Sequence, residues 1–227
     1  MELYEKVQLI VDYLKENSEA FSMVEKNTII NSIGTFDTTD KIPSVVLELY
    51  DELGILPDNK NIYKAFLKLL DEKFKIKDKN IVEVGGGNLP RLGKRIALMQ
   101  DKGTITVYDP NLYIKNNDLP NLKLIKRRFY PISNVDDADV IIGLMPCGAV
   151  QSIVKSAIRH DKDFMLVLCD EFDTFCQFDS EIENENWEEE FIKKLEKDVE
   201  ENNMGKLKVK HIKEIGEEHP ILYNCRG

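Results

Sequence analysis

Ile81-Val82-Glu83-Val84-Gly85-Gly86-Gly87-Asn88-Leu89-Pro90 is the stretch on which the fold turns. An apolar run of strand length opens into three glycines, and the periodic residues Leu92, Ile96 and Met99 then mark a helix expected over residues 89–100. Glycine meets two needs in such a turn. It takes up backbone angles that other residues avoid, and it removes a side chain where the backbone must approach a ligand closely. The unpaired N–H groups at the start of the following helix can then receive a polar ligand group. Any tight strand-to-helix turn can use glycine, but two carboxylates narrow the reading. Glu83 interrupts an otherwise apolar strand, and burying its charge is costly unless a cation or a hydrogen-bond donor meets it. Asp109, in Val107-Tyr108-Asp109-Pro110, follows Gly87 by 22 residues. An acid about 20 residues beyond such a loop is placed to accept hydrogen bonds from ribose hydroxyls. Loop and acids together point to a nucleoside-containing cofactor.

Outward from this stretch the chain alternates strand and helix. Strands are expected over residues 80–85, 104–109, 122–126, 139–144 and 164–169, with helices over 89–100 and 150–159 between them. Runs such as Val140-Ile141-Ile142 suit strands buried on both faces of a parallel sheet. A helix over 187–199 carries Phe191, Ile192, Leu195 and Val199 on one side. Two further strands, 206–213 and 220–226, are joined by a turn at Gly216 too short for a crossover, so they run antiparallel. The expected architecture is α/β: a Rossmann-like, mostly parallel sheet closed by an antiparallel hairpin at its carboxyl end, with helices on both faces.

Residues 1–77 read differently. Leu3, Val7, Ile10, Val11 and Leu14 recur at helical spacing, as do Ile62, Phe66, Leu69, Leu70 and Phe74. A middle helix is expected to start near Pro43 and to stop at Gly54, after a polar loop at residues 35–41. The expected division is a helical region over 1–77, serving as a lid, in acceptor binding or in oligomerisation, and a cofactor domain over 78–227.

The formal charge of −10 and pI near 5.0 repel phosphate backbones, which argues against a nucleic-acid partner. Lys123, Lys126, Arg127 and Arg128 form the one dense basic cluster and read as a solvated strand edge. Residues 1–15 are charged throughout and hold no secretory apolar segment, and no apolar run approaches membrane-span length. The expectation is a cytoplasmic protein with reduced thiols and no membrane partner. Cys147, Cys169, Cys176 and Cys225 have no CxxC spacing and there are three histidines, so no metal site is expected. Cys147 reads as a small buried thiol. His160, His211 and His219 are scattered and support no general base.

With these residues in place, the 78–227 region resembles the class I S-adenosylmethionine (SAM) dependent methyltransferases in strand order and loops. Glu83-x-Gly85-x-Gly87 is similar to that family's first motif. The resemblance implies that Glu83, Gly85, Gly86 and Gly87 contact the amino-acid part of SAM and that Asp109, with Pro110 beside it, holds the ribose. It also implies that the loop Leu144-Met145-Pro146-Cys147-Gly148 borders cofactor and acceptor, through Leu144 and Pro146 on the cofactor side. The chain departs from the family pattern after the third strand, where Arg127-Arg128-Phe129-Tyr130 replaces the usual acid or polar residue, and Phe129 and Tyr130 read as core aromatics rather than as rings stacked on adenine. Pro146-Cys147 with Cys169 resembles the cysteine loops of RNA cytosine-C5 methyltransferases, but Leu144-Met145 stands where those carry an acid. Asp170, Glu171 and Asp173 occupy the place of metal ligands in some O-methyltransferases and read as a solvated loop. The implied activity is methyl transfer to a small-molecule acceptor. The alternatives are a non-catalytic SAM- or nucleotide-binding module and an NAD-dependent oxidoreductase. The dinucleotide fingerprint wants a third glycine where this chain has Pro90, which disfavours NAD.

Overall fold

The computed structural model describes residues 3–33, 44–53, 55, 60–112, 119–169 and 187–226. It separates into two compact units, Met1–Asn59 and Lys60–Gly227.

The first unit contains α1 (Leu3–Glu16), a 3₁₀ turn (Ser18–Ala20), α2 (Met23–Asn31) and α3 (Ser44–Glu52). Ile10, Ile29, Val46, Leu49, Tyr50 and Ile55 are buried there, and the Tyr50 hydroxyl donates to the Ser32 carbonyl at 3.1 Å. The apolar face expected for α1 buries only Ile10, with Leu3 lying 56% exposed. α2 starts with a reciprocal box: the Glu25 N–H donates to the Ser22 hydroxyl and the Ser22 N–H donates to the Glu25 carboxylate at 2.8 Å. Pro43, Gly54 and residues 35–41 lie outside the described residues.

The second unit opens with α4 (Lys60–Phe74), and then runs β1 (Ile81–Val84), α5 (Arg91–Met99), β2 (Ile105–Tyr108), β3 (Leu122–Ile125), β4 (Val140–Leu144), α6 (Val150–His160), β5 (Asp163–Val167), α7 (Trp187–Glu201), β6 (Lys206–Ile212) and β7 (Gly216–Cys225). The seven strands form one sheet in the order β3-β2-β1-β4-β5-β7-β6. β1 to β5 pair in parallel, and β7 joins antiparallel to β5 and to β6. This is the expected Rossmann-like sheet with its closing hairpin. β7 begins at Gly216 rather than at Pro220, because the chain pairs with β6 as soon as it leaves the turn, at Ile212↔Gly216.

Strand alternation sorts the side chains onto two faces. On one, Ile81, Ile105, Val107, Leu122, Val140 and Ile142 pack against Leu92, Ile96 and Ala97 of α5 and Phe66, Leu69, Leu70 and Phe74 of α4. On the other, Val82, Val84, Tyr108, Ile141, Phe164 and Leu166 pack against Val150, Ile153, Val154 and Ala157 of α6 and Phe191, Leu195 and Val199 of α7. The first face corrects the expected boundary at 77/78. The stripe on α4 is covered by the sheet itself, so the division falls at Asn59/Lys60 and α4 belongs with the strands.

Asn224 is fully buried and saturates its amide. Its Oδ1 accepts from the Phe164 N–H at 2.7 Å, and its Nδ2 donates to Asp163 at 2.9 Å and to the Met204 carbonyl at 3.1 Å. These bonds tie β7 to β5 and to the end of α7. The connection from β3 to β4, residues 126–139, carries no helix; Phe129, Val135 and Ala138 cover the sheet there. It leaves a cleft of roughly 200 Å³ along β1 to β3, lined by Thr104, Thr106, Lys123 and Arg127 among others.

Candidate functional site

In a sheet of this order the chain moves outward from β1 to β2 on one side and to β4 on the other. The crevice beyond the carboxyl ends of β1 and β4 is where such folds bind ligands. The glycine loop lies there. Gly85 has φ +81°, and a Cβ on it would sit 2.9 Å from Pro146 Cα, so only glycine lets the loops after β1 and β4 approach this closely. The Gly85 N–H donates to the Tyr108 carbonyl at 2.9 Å, which carries the β1–β2 pairing into the turn. Gly87, at φ +69°, faces open space: a Cβ there would meet no atom within 4 Å. Its N–H donates to Asp109 Oδ2 at 3.0 Å, while Oδ1 of the same carboxylate accepts from the Asn111 N–H at 2.7 Å. Asp109 is 9% exposed. The acid expected at the end of β2 is therefore bonded directly to the loop.

Glu83 lies beneath the loop. It is 3% exposed, with its carboxyl under Gly86 and against Gly93 of α5. A Cβ on Gly93 would stand 2.6 Å from both Glu83 Oε2 and Val107 Cγ2, so the helix reaches the strand only because this residue has no side chain. Oε2 has no hydrogen-bond partner among the described residues. Burial pushes the carboxyl up to about 8; the Gly93 N–H pulls the other way, and the Asp109 charge adds to the rise. α4 contributes Tyr63 to the same corner. Burial raises its phenol, the Arg91 guanidinium opposes that rise, and the Glu83 carboxylate reinforces it. Arg95 stands over the Tyr63 ring at 5.2 Å.

The loop after β4 supplies the opposite wall. Leu144 is half-buried and Pro146 is buried, wedged between Gly85 and Gly143. Met145 takes φ +55°, a left-handed angle that costs a non-glycine residue on the order of 1–2 kcal/mol. Its N–H still donates to the Val167 carbonyl at 3.1 Å. Beyond that bond the chain swings outward, and the expectation of a buried thiol at Cys147 fails: Cys147 is exposed, with Cys169 half-buried. Their sulfurs lie 2.9 Å apart.

The structure thus gathers Glu83, Gly85, Gly86, Gly87, Asp109 and Pro146 at one end of the sheet, with Leu144 beside Pro146 and Pro110 exposed just past Asp109. Glu83 supports the loop from below, whereas Asp109 stands at its outer edge. Sequence reasoning missed Tyr63, Arg91 and Arg95. Arg91 falls in the first turn of the helix expected over residues 89–100, but nothing local links it to a tyrosine on α4. Phe129 packs edge-on against Tyr108 at 5.2 Å, as a core aromatic, whereas Tyr130 is 54% exposed. Arg127 of the basic cluster stacks over Tyr108 at 5.4 Å. Among the described residues no group of three or more His, Cys, Asp or Glu side chains could hold a metal ion, and Asp170, Glu171 and Asp173 lie outside them. No described helix is long and apolar enough to cross a membrane.

No family model matches the chain, and no curated protein matches it. Solved structures do. A putative SAM-dependent methyltransferase from Methanococcus maripaludis aligns with a TM-score of 0.49 at 14% identity, over 84% of this chain and 96% of that one. A SAM-dependent methyltransferase from Aquifex aeolicus aligns with a TM-score of 0.43 at 14% identity, over 71% and 87%. Fibrillarin from Aeropyrum pernix, solved with natively bound S-adenosyl-L-methionine, aligns with a TM-score of 0.43 at 12% identity, over 65% and 66%.

Proposed function

We propose that the protein is a SAM-dependent methyltransferase acting on a small-molecule acceptor, with the cofactor held by Glu83, Gly85, Gly86, Gly87, Asp109, Pro110, Leu144 and Pro146. The observation that carries the reading is the bond from the Gly87 N–H to Asp109 at 3.0 Å, made beside a glycine that faces open space at the switch between β1 and β4. The residues suit such a ligand. Each Asp109 oxygen takes one backbone N–H, and a carboxylate offers about four acceptor positions, so two remain for a ribose diol. The unpartnered Oε2 of Glu83 beneath the loop suits a donor or cation brought close above it.

When bound, SAM supplies an activated methyl group on its sulfonium. What remains for the chain is to align an acceptor with that methyl group and to keep water out. Pro146, resting on Gly85, holds the loops after β1 and β4 against each other, and the Leu144–Pro146 segment is the side on which this reading places the acceptor. No catalytic base is assigned, because methyl transfer needs one only when the acceptor must lose a proton early.

Calorimetric titration with SAM and with S-adenosylhomocysteine tests the proposal, with NAD as the competing ligand. Saturable heat is expected for both adenosyl compounds. Asp109→Ala is expected to weaken binding tenfold or more, since losing hydrogen bonds to a charged group costs about 1.5–3 kcal/mol. Heat with NAD and none with either adenosyl compound would overturn it.

A further inference from the structure

Cys147 and Cys169 stand at the carboxyl ends of neighbouring strands, and their 2.9 Å separation is a built juxtaposition rather than a chance one. β4 and β5 pair in register through Leu144↔Val167. The Met145 N–H extends that pairing by one bond, at 3.1 Å to the Val167 carbonyl. The two backbones therefore leave the sheet at roughly the 4.8 Å spacing of adjacent strands, inside the roughly 4.4–6.8 Å that a disulfide spans between Cα atoms. The sulfurs need to move by only about 1 Å to reach the ~2.05 Å of an S–S bond. The left-handed turn at Met145 places Cys147 on the exposed side of the loop, where its thiol faces the Met145 carbonyl at 3.5 Å. Cys169, half-buried, stands behind it.

We propose that Cys147 and Cys169 are a redox-active dithiol that a hydroperoxide converts to an intramolecular disulfide. Cys147 is the thiol an oxidant meets first. Its thiolate attacks one peroxide oxygen, the O–O bond breaks, and the departing oxygen takes up a proton and leaves as water (as an alcohol from an organic hydroperoxide), leaving a sulfenic acid. The Cys169 thiolate then attacks that sulfur, the S–O bond breaks, and the oxygen leaves as water with the second proton. Two thiols lose two electrons in all and the peroxide gains them. The new bond closes a loop from residue 147 to residue 169 around α6 and pins the ends of β4 and β5 to each other beside Gly85. The proposal concerns the two thiols alone and stands whether or not the cleft takes SAM.

The test uses the full chain. Reduced protein is titrated with hydrogen peroxide, remaining thiols are alkylated, and linked peptides are identified by mass spectrometry. Cys169 and Cys176 fall between Lys162 and Lys193 with no basic residue between them, so the Cys176→Ser chain is run alongside to fix the partner. One molar equivalent of peroxide is expected to remove two thiols, to link 147 to 169 in both chains, and to be reversed by dithiothreitol. Cys147→Ser and Cys169→Ser are each expected to abolish the link. In the Cys176→Ser/Cys225→Ser chain, which keeps the pair, a trivalent arsenical selective for closely spaced dithiols is expected to block both thiols. A 147–176 or 147–225 link, oxidation of Cys147 to the sulfinic acid with Cys169 still alkylated, or a double-serine chain that ignores the arsenical would overturn the proposal.

Discussion

Replacing Glu83 by glutamine tests the electrostatics of the site without changing its shape. The carboxyl rises from 4.5 to about 8 because it is buried, with one oxygen unpartnered and Asp109 nearby. A folded-state value above the unfolded one means that the folded chain holds a proton the unfolded chain releases. The stability this gives is complete below about 4.5 and is lost as pH rises through about 8. Each pKa unit is worth about 1.36 kcal/mol. Between pH 6 and pH 8 the slope is nearly full at first and flattens as the folded carboxyl begins to ionise, so the loss amounts to about 2 kcal/mol. Glutamine has no proton to lose. Urea unfolding of both chains at pH 6 and pH 8 cancels every other titrating group in the difference between them. The stability of Glu83→Gln relative to the parent is expected to rise by about 2 kcal/mol over that interval. A difference that does not change with pH would refute the reasoning, since it would mean that Glu83 is already ionised in the folded protein and compensated there.

Gly93→Ala is expected to destabilise the second unit by about 1–3 kcal/mol, read as a lowered urea midpoint. Its methyl group would stand 2.6 Å from both Glu83 Oε2 and Val107 Cγ2, and α5 would have to lift off β2. Asn224→Ala removes three bonds from a fully buried amide and leaves the Phe164 N–H without its acceptor, so a loss of about 3 kcal/mol is expected in the same assay. A loss under 0.5 kcal/mol would mean that β7 is held by its strand pairing alone. In the capping box of α2, Ser22→Ala is expected to cost about 1 kcal/mol in the first unit, measurable as reduced amide protection across residues 23–26.

β1, β2, β4 and β5 were legible because each is a short, largely buried apolar run bounded by glycine, aspartate or a charged turn, whereas β3 at the sheet edge carries the exposed Lys123. The glycine loop was legible because it departs from helix and strand chemistry at once, and Asp109 because the spacing from loop to ribose acid is set by one helix and one strand. The position of α4 was not. Phe66, Leu69, Leu70 and Phe74 announce an apolar stripe, but a stripe does not say which surface covers it, and here the sheet does. α2 was passed over for want of apolar periodicity, although Ser22-x-x-Glu25 marks its start. The roles of Tyr63 and Arg91 and the meeting of Cys147 with Cys169 depend on contacts between elements far apart in sequence, which no local pattern encodes. The burial expected for Cys147 failed for a local reason, the left-handed turn at Met145, since methionine gives no sign that it will adopt one.

The grip proposed for the glycine loop and Asp109 on an adenosyl ligand can be followed at the backbone. In an amide NMR titration of the full chain with S-adenosylhomocysteine, the N–H signals of Gly85, Gly86, Gly87 and Asp109 are expected to shift together and saturably, with Gly216 in the distant hairpin unmoved. Shifts clustered elsewhere in the sheet, or none at saturating ligand, would contradict the assignment of this site.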